Sequence, residues 1–147
     1  MKLEGIDANG AVHEYETNNF RSPITVLYFY PKDNTSGCTA EACDFRDNLN
    51  RIAAKAKLIG VSPDSITSHQ NFQKKHNLNF TLLSDPEHFL AEKFGVWKQK
   101  SMYGRQYMGI ERSTFIIDGK GNILKEWRKV KVSGHVDEVL QFLQNMQ

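Results

Sequence analysis

The residues with most chemistry to offer are the two cysteines of the chain, Cys38 and Cys43, both inside the stretch PKDNTSGCTAEAC that runs from 31 to 43. The spacing is too long for a C-x-x-C dithiol motif. Zinc would need two further ligands, and the histidines (His13, His69, His76, His88 and His135) are dispersed, with no pair at metal-ligand spacing. Cys38 falls where a loop meets the start of a helix. A thiol there faces unpaired backbone N–H groups and the positive end of the helix dipole, which favour the nucleophilic thiolate. Cys43 lies five residues further along the same helix. Five helical steps turn the chain by about 140° and raise it about 7.5 Å, which separates the two Cα atoms by roughly 8–9 Å. A disulfide needs about 4.4–6.8 Å. A bridge between these thiols therefore requires the first helical turns to unwind. Two packing cysteines are the plain alternative, but a pair at a helix start beside Thr35 and Gly37 favours reactive thiols.

The surrounding elements must hold this pair in place. TVLYFY (25–30) reads as a buried strand. Ala42, Phe45, Leu49, Ile52, Ala53 and Ala56 recur at steps of three and four, one apolar stripe of a helix. That stripe turns Cys38 towards the core and into a pocket. KLIGVS (57–62) is a second strand, SITSHQNFQKKHN a polar helix, and FTLLS (80–84) a third strand. PEHFLAEKFG predicts a short helix opening at the proline and closing at Gly95. RSTFIID and NILKEWRKV flank DGKG, a hairpin signal. SGHVDEVLQFLQNM is an amphipathic helix with Val136, Val139, Leu140 and Leu143 on one side. This order predicts an α/β thioredoxin-like fold, a mixed central β-sheet flanked by helices, in one domain over 1–147. At 147 residues the chain is long enough to bury a core without staples. A net charge of +2 with scattered Lys and Arg excludes a nucleic-acid footprint, and no apolar run is long enough for a membrane span. No targeting segment is evident, so the expected location is the reducing cytoplasm.

Pro31, Thr35 and Cys38 form a P-x-x-x-T-x-x-C pattern that resembles the active-site signature of the peroxiredoxins. The longer segment LYFYPKDNTSGCTAEACDFRD is similar to the bacterioferritin comigratory protein, or peroxiredoxin Q, group, and the likeness continues through FTLLSDP, FGVW, MYGRQYMGIERSTFIID and VSGHVDEVL. The resemblance implies a cysteine-dependent peroxidase without metal, flavin or haem. It puts Cys38 at the position that attacks the peroxide and becomes a sulfenic acid. It makes Thr35 the hydroxyl that hydrogen-bonds sulfur and substrate oxygen, and Pro31 the shield against water. Arg112 becomes the cation that stabilises the thiolate and orients the peroxide. Cys43 matches the resolving cysteine that closes an intramolecular disulfide, and Glu41 a carboxylate that holds the arginine. The implied partners are a peroxide and a thioredoxin-type dithiol reductant; the implied state is a monomer.

The sequence departs from that pattern twice. The family's A-P-x-F segment is missing before LEGIDANGAVHEY, which shortens the first strand. Ser36 stands where relatives often carry proline; serine can cap a helix start but leaves the loop less rigid. Trp97, Tyr103 and Tyr107 could line the pocket mouth, although packing is the expectation for at least two of them. The sequon at Asn34 is read as chance and the basic run KEWRKVK as a solvated strand face. A peroxide-sensing switch or chaperone-like binding protein, a general disulfide reductase, and a one-thiol peroxidase are the rivals. The full set of Pro31, Thr35, Cys38 and Arg112 argues against the first, and the cysteine spacing against the second.

Overall fold

The computed structural model describes residues 1–146. Its elements follow the order β1 (Lys2–Ile6), β2 (Val12–Glu16), β3 (Ile24–Phe29), α1 (Ser36–Asp47), α2 (Leu49–Ala53), β4 (Lys57–Ser62), α3 (Ile66–His76), β5 (Thr81–Ser84), α4 (Phe89–Lys93), β6 (Trp97–Met102), β7 (Arg105–Ile110), β8 (Ser113–Asp118), β9 (Ile123–Trp127) and α5 (His135–Gln144). Seven strands make one mixed sheet in the order β2-β1-β5-β4-β3-β8-β9. β3, β4 and β5 run parallel, joined by helical crossovers, while β1, β8 and β9 pair antiparallel. This is the expected mixed sheet flanked by helices. No helix among the described residues is long and apolar enough to cross a membrane.

The central strands are buried on both faces, as their unbroken apolar runs require. Along β3, Val26, Tyr28 and Tyr30 point into one core with Ala42 and Phe45 of α1, Ile52 of α2, Phe72 of α3, and Val136, Val139, Leu140 and Leu143 of α5. The alternate residues Leu27 and Phe29 point into a second core with Leu90, Ala91, Val96 and Phe115. Phe45 stacks on Tyr28 with ring centroids 4.6 Å apart. Burying one such ring contributes about 1.5–3 kcal/mol, which pins the middle of α1 to the sheet.

The apolar stripe from Ala42 to Ala56 is divided between two helices, its last residue, Ala56, lying beyond the end of α2. Asn48 leaves helical geometry (φ −113°, ψ 10°), and its side-chain amide donates to the Asp44 carbonyl at 2.8 Å, closing α1. α3 opens on Ser65, whose hydroxyl accepts from the Ser68 N–H, and ends on Asn77 in the left-handed region. α4 starts at Phe89, later than the proline suggested, because Asp85 caps it through the Phe89 and Ala91 N–H groups. The β8–β9 turn relies on Asp118, which accepts from the backbone of Lys120 and Asn122, and on Gly121 at φ 87°. β6 and β7 form a separate two-stranded ribbon that the periodicity of the sequence did not announce.

Candidate active site

The C-terminal end of β3 delivers the loop 31–35, and the first turn of α1 delivers the thiol. Thr35 is the extended N-cap residue (φ −81°, ψ 156°) and makes no side-chain cap hydrogen bond, so Ser36 is the first helical residue rather than the cap. Cys38 occupies the third helical position and is 2% exposed. Cys43 is half-buried in the same unbroken helix, and both thiols are free. The pocketed placement of Cys38 follows from the stripe that buries Ala42 and Phe45.

Arg112 arrives from across the sheet. β8 pairs antiparallel with β3, setting Ser113 opposite Phe29, so the preceding residue lies level with the end of β3 where the loop begins. Its guanidinium donates from Nη2 to Cys38 Sγ at 3.3 Å and from Nη1 to Glu41 Oε1 at 2.7 Å. A Cβ at Gly37 would stand 3.2 Å from Nη2, so the glycine leaves room for the cation against the helix start. From outside, a cavity of about 470 Å³ opens on Arg112 and is lined also by Lys100, Tyr107, Lys129 and Val130.

Glu41 is fully buried. Burial pushes its carboxyl up to about 7, against the pull of Arg112, and Asp44 adds to the rise. Its Oε2 has no hydrogen-bond partner among the described residues, nor has the buried Tyr28 hydroxyl. Burial also lifts the Tyr28 phenol well above its ordinary range, helped by the charges of Glu41 and Cys38. Burial works against the charge on Arg112, but Glu41 and Cys38 outweigh it and hold the guanidinium above its usual value. Lys100 is lowered by burial and then by Arg112.

The loop itself is tied down by a network that sequence reading missed. Asp33 Oδ1 accepts from the Tyr30 hydroxyl at 2.6 Å and Oδ2 from the Ser68 hydroxyl at 2.8 Å, with His69 Nδ1 2.7 Å from Oδ2. His69 Nε2 donates to the Leu83 carbonyl at 2.9 Å. The Asp33 N–H donates to Asp64 Oδ2, which also accepts from Ser62 Oγ. Asp33, Asp64 and His69 thus converge although their spacing in sequence gave no hint of it. Their facing atoms are engaged in this hydrogen bonding.

Other expected residues are distributed unevenly. Pro31 is half-buried at the loop entrance. Thr35 is exposed, its hydroxyl turned to the Lys32 carbonyl at 2.9 Å rather than to the sulfur. Of the three ring residues, only Trp97 packs, stacked 3.6 Å from the His88 ring. Tyr103 is 98% exposed and Tyr107 42%. The expectation that two would pack fails because the β6–β7 ribbon pairs only with itself and leaves its tip in solvent. In KEWRKVK the strand face is solvated, but Arg128 reaches back to the carbonyls of Phe94 and Gly95.

The sequence profile of the AhpC/TSA family matches residues 2–126. The chain belongs to this family. Peroxiredoxin Bcp of Bacillus subtilis is 58% identical over 130 residues, 88% of this chain and 83% of the relative. Peroxiredoxin Bcp of Xanthomonas campestris is 51% identical over 119 residues, 80% and 74% of the two chains. Among solved structures, a cysteine-to-serine variant of Xanthomonas campestris peroxiredoxin Q superposes with a TM-score of 0.88 at 42% identity, covering 98% of this chain and 89% of its own. A second structure from that organism, of a bacterioferritin comigratory protein studied for alkyl peroxide reduction, gives 0.85 at 42% identity, with 98% and 90% covered. Within the family this chain is therefore a peroxiredoxin of the Bcp or peroxiredoxin Q kind, a thiol peroxidase with a thioredoxin-like fold.

Proposed function

We propose that Cys38 is the peroxidatic thiol, Cys43 its resolving partner, and Arg112, Thr35 and Pro31 the groups that shape the reaction. The observation that carries this reading is the Arg112 guanidinium, 3.3 Å from Cys38 Sγ at the start of α1. The Cys38 thiolate attacks one peroxide oxygen, the O–O bond breaks, and its electron pair leaves on the second oxygen. That oxygen takes up a proton and departs as water or an alcohol, while the sulfur keeps the transferred oxygen as a sulfenic acid. Arg112 and the backbone N–H groups of the helix start are set in place before the charge develops, which is where such donors act most strongly. Turned from the Lys32 carbonyl, the Thr35 hydroxyl supplies a further donor. Pro31 limits water at the entrance.

The Cys43 thiolate then attacks the Cys38 sulfur, expelling hydroxide, which leaves as water after protonation. The intact α1 keeps these thiols too far apart for the bond, so resolution proceeds through unwinding between them. An external dithiol of the thioredoxin type reduces the bridge by exchange, releasing both thiols. The cycle needs only one chain, which fits a monomer, and a supply of dithiol, which fits the cytoplasm.

The test adds one equivalent of hydrogen peroxide to the fully reduced protein, then counts thiols and records the intact mass. Loss of both thiols in a monomer of unchanged mass apart from two hydrogens is expected. Retention of one thiol with an added oxygen, or a linked dimer, would remove Cys43 from the cycle. Survival of both thiols over minutes would remove the reading of Cys38.

A further inference from the structure

Glu41 lies between the two cysteines in the one segment that must come apart for them to meet. Cys38 and Cys43 share α1, and bringing their Cα atoms from roughly 8–9 Å to disulfide range requires residues 39–42 to leave the helix. Folded, Glu41 is fully buried, with Oε1 on Arg112 Nη1 and Oε2 without a protein partner. Unwound, the same carboxyl enters water. We propose that Glu41 is a proton-linked positioning residue that gates this unwinding: below neutral pH its buried carboxyl keeps its proton while α1 is folded and gives it up when the segment opens into water. This inference rests on the bridge between Cys38 and Cys43 read above.

The charged and titratable groups around Glu41 come from three elements. Arg112, just before β8, favours its ionised form; Asp44 on α1 disfavours it. Cys38 shares the same guanidinium, and Tyr28 on β3 presents a phenol that stays protonated. On α5, His135 feels the charge of Arg112, which helps to hold it down. Burial outweighs Arg112 and leaves the carboxyl at about 7, against an ordinary value of 4.5. The sign follows from linkage. A folded-state value above the open-state value stabilises the folded turn fully below about 4.5, and that stabilisation is lost as pH rises through about 7. Opening therefore becomes easier from acid to neutral pH and levels off above. In an acidified compartment the sulfenic acid waits longer for Cys43 and is more exposed to a second peroxide, which drives it to sulfinic acid.

The experiment measures amide hydrogen exchange of residues 38–44 in the reduced protein between pH 5 and 8, corrected for intrinsic exchange, beside Glu41→Gln. No peroxide is present, so the result stands whether or not the bridge forms. The opening constant of the unaltered protein, divided by that of the variant, is expected to rise about tenfold or more between pH 5 and 7. A ratio that stays flat with pH overturns the proposal. If Glu41→Gln does not fold, carbon-13 NMR of the Glu41 carboxyl in the reduced, unaltered protein decides. Titration near neutrality supports the gate, and titration in the ordinary carboxylate range overturns it.

Discussion

Asp33 and Glu41 are both acids closed off from water beside the same short loop, each facing a nitrogen base, yet their surroundings differ in completeness. Both Asp33 oxygens accept hydroxyl donors, and His69 of α3 is hydrogen-bonded at both ring nitrogens, to Asp33 and to the Leu83 carbonyl of β5. Glu41 has one oxygen on Arg112 and one with no protein partner. A fully satisfied buried network rigidifies the segment it holds, whereas an under-satisfied buried acid lowers the cost of taking its segment apart. The fold places the first beneath Pro31 and Thr35 and the second inside the helix that must unwind. One end of the site is anchored and the other is left releasable.

Removing one partner from each pair tests that contrast. Asp33→Ala leaves His69 and two hydroxyls without their acceptor and is expected to cost about 3–5 kcal/mol in urea unfolding of the reduced protein. Glu41→Gln keeps an acceptor for Arg112 and is expected to cost about 1 kcal/mol or less. Equal losses would erase the distinction. Arg112→Met keeps the packing of the stem but removes the cation. It should lower kcat/KM for hydrogen peroxide about 10²–10³-fold in steady-state assays. A loss below about tenfold would move the reaction's charge stabilisation elsewhere.

Acid provides a third probe. His135, almost fully buried on α5 with Nε2 2.7 Å from Thr114 Oγ1, is held down to about 4, chiefly by burial. Its folded value lies below its open value, so stability rises with pH here, and its contribution is lost as pH falls from about 6.5 through about 4. Denaturant melts should show roughly 3 kcal/mol of acid destabilisation that His135→Asn flattens. That global loss runs opposite to the acid tightening expected for α1 alone. Ser36→Pro has the smallest effect. Thr35 is already extended, as the residue before proline prefers, so the substitution stiffens the helix start without strain. Disulfide formation measured by stopped-flow should slow about two- to fivefold, the scale set by the entropy proline removes from the open segment. An unchanged rate would mean that opening begins beyond residue 36.

Much of the fold was legible in order and period. The runs of β3, β4 and β5 and the stripes of α1 and α5 announced buried strands and one-sided helices, because apolar spacing is a local property of the chain. The break at Asn48 was not, since the stripe continues across it and only a side chain turned back to Asp44 divides the helix. The β6–β7 ribbon escaped for a similar reason: its residues alternate no core face, and it pairs only with itself around the turn at Tyr103 and Gly104.

For the site, the sequence by itself determined the helix start, the thiol upon it, and a second thiol too distant to bond while the helix lasts. Those follow from residue type and 3.6-residue geometry. Tertiary structure alone decided that Arg112 stands 3.3 Å from the sulfur, that His69 closes on Asp33, and that Glu41 loses all contact with water. Each of these brings together residues tens of positions apart or depends on desolvation, and neither strand register across a sheet nor the polarity of a buried site is written in local spacing.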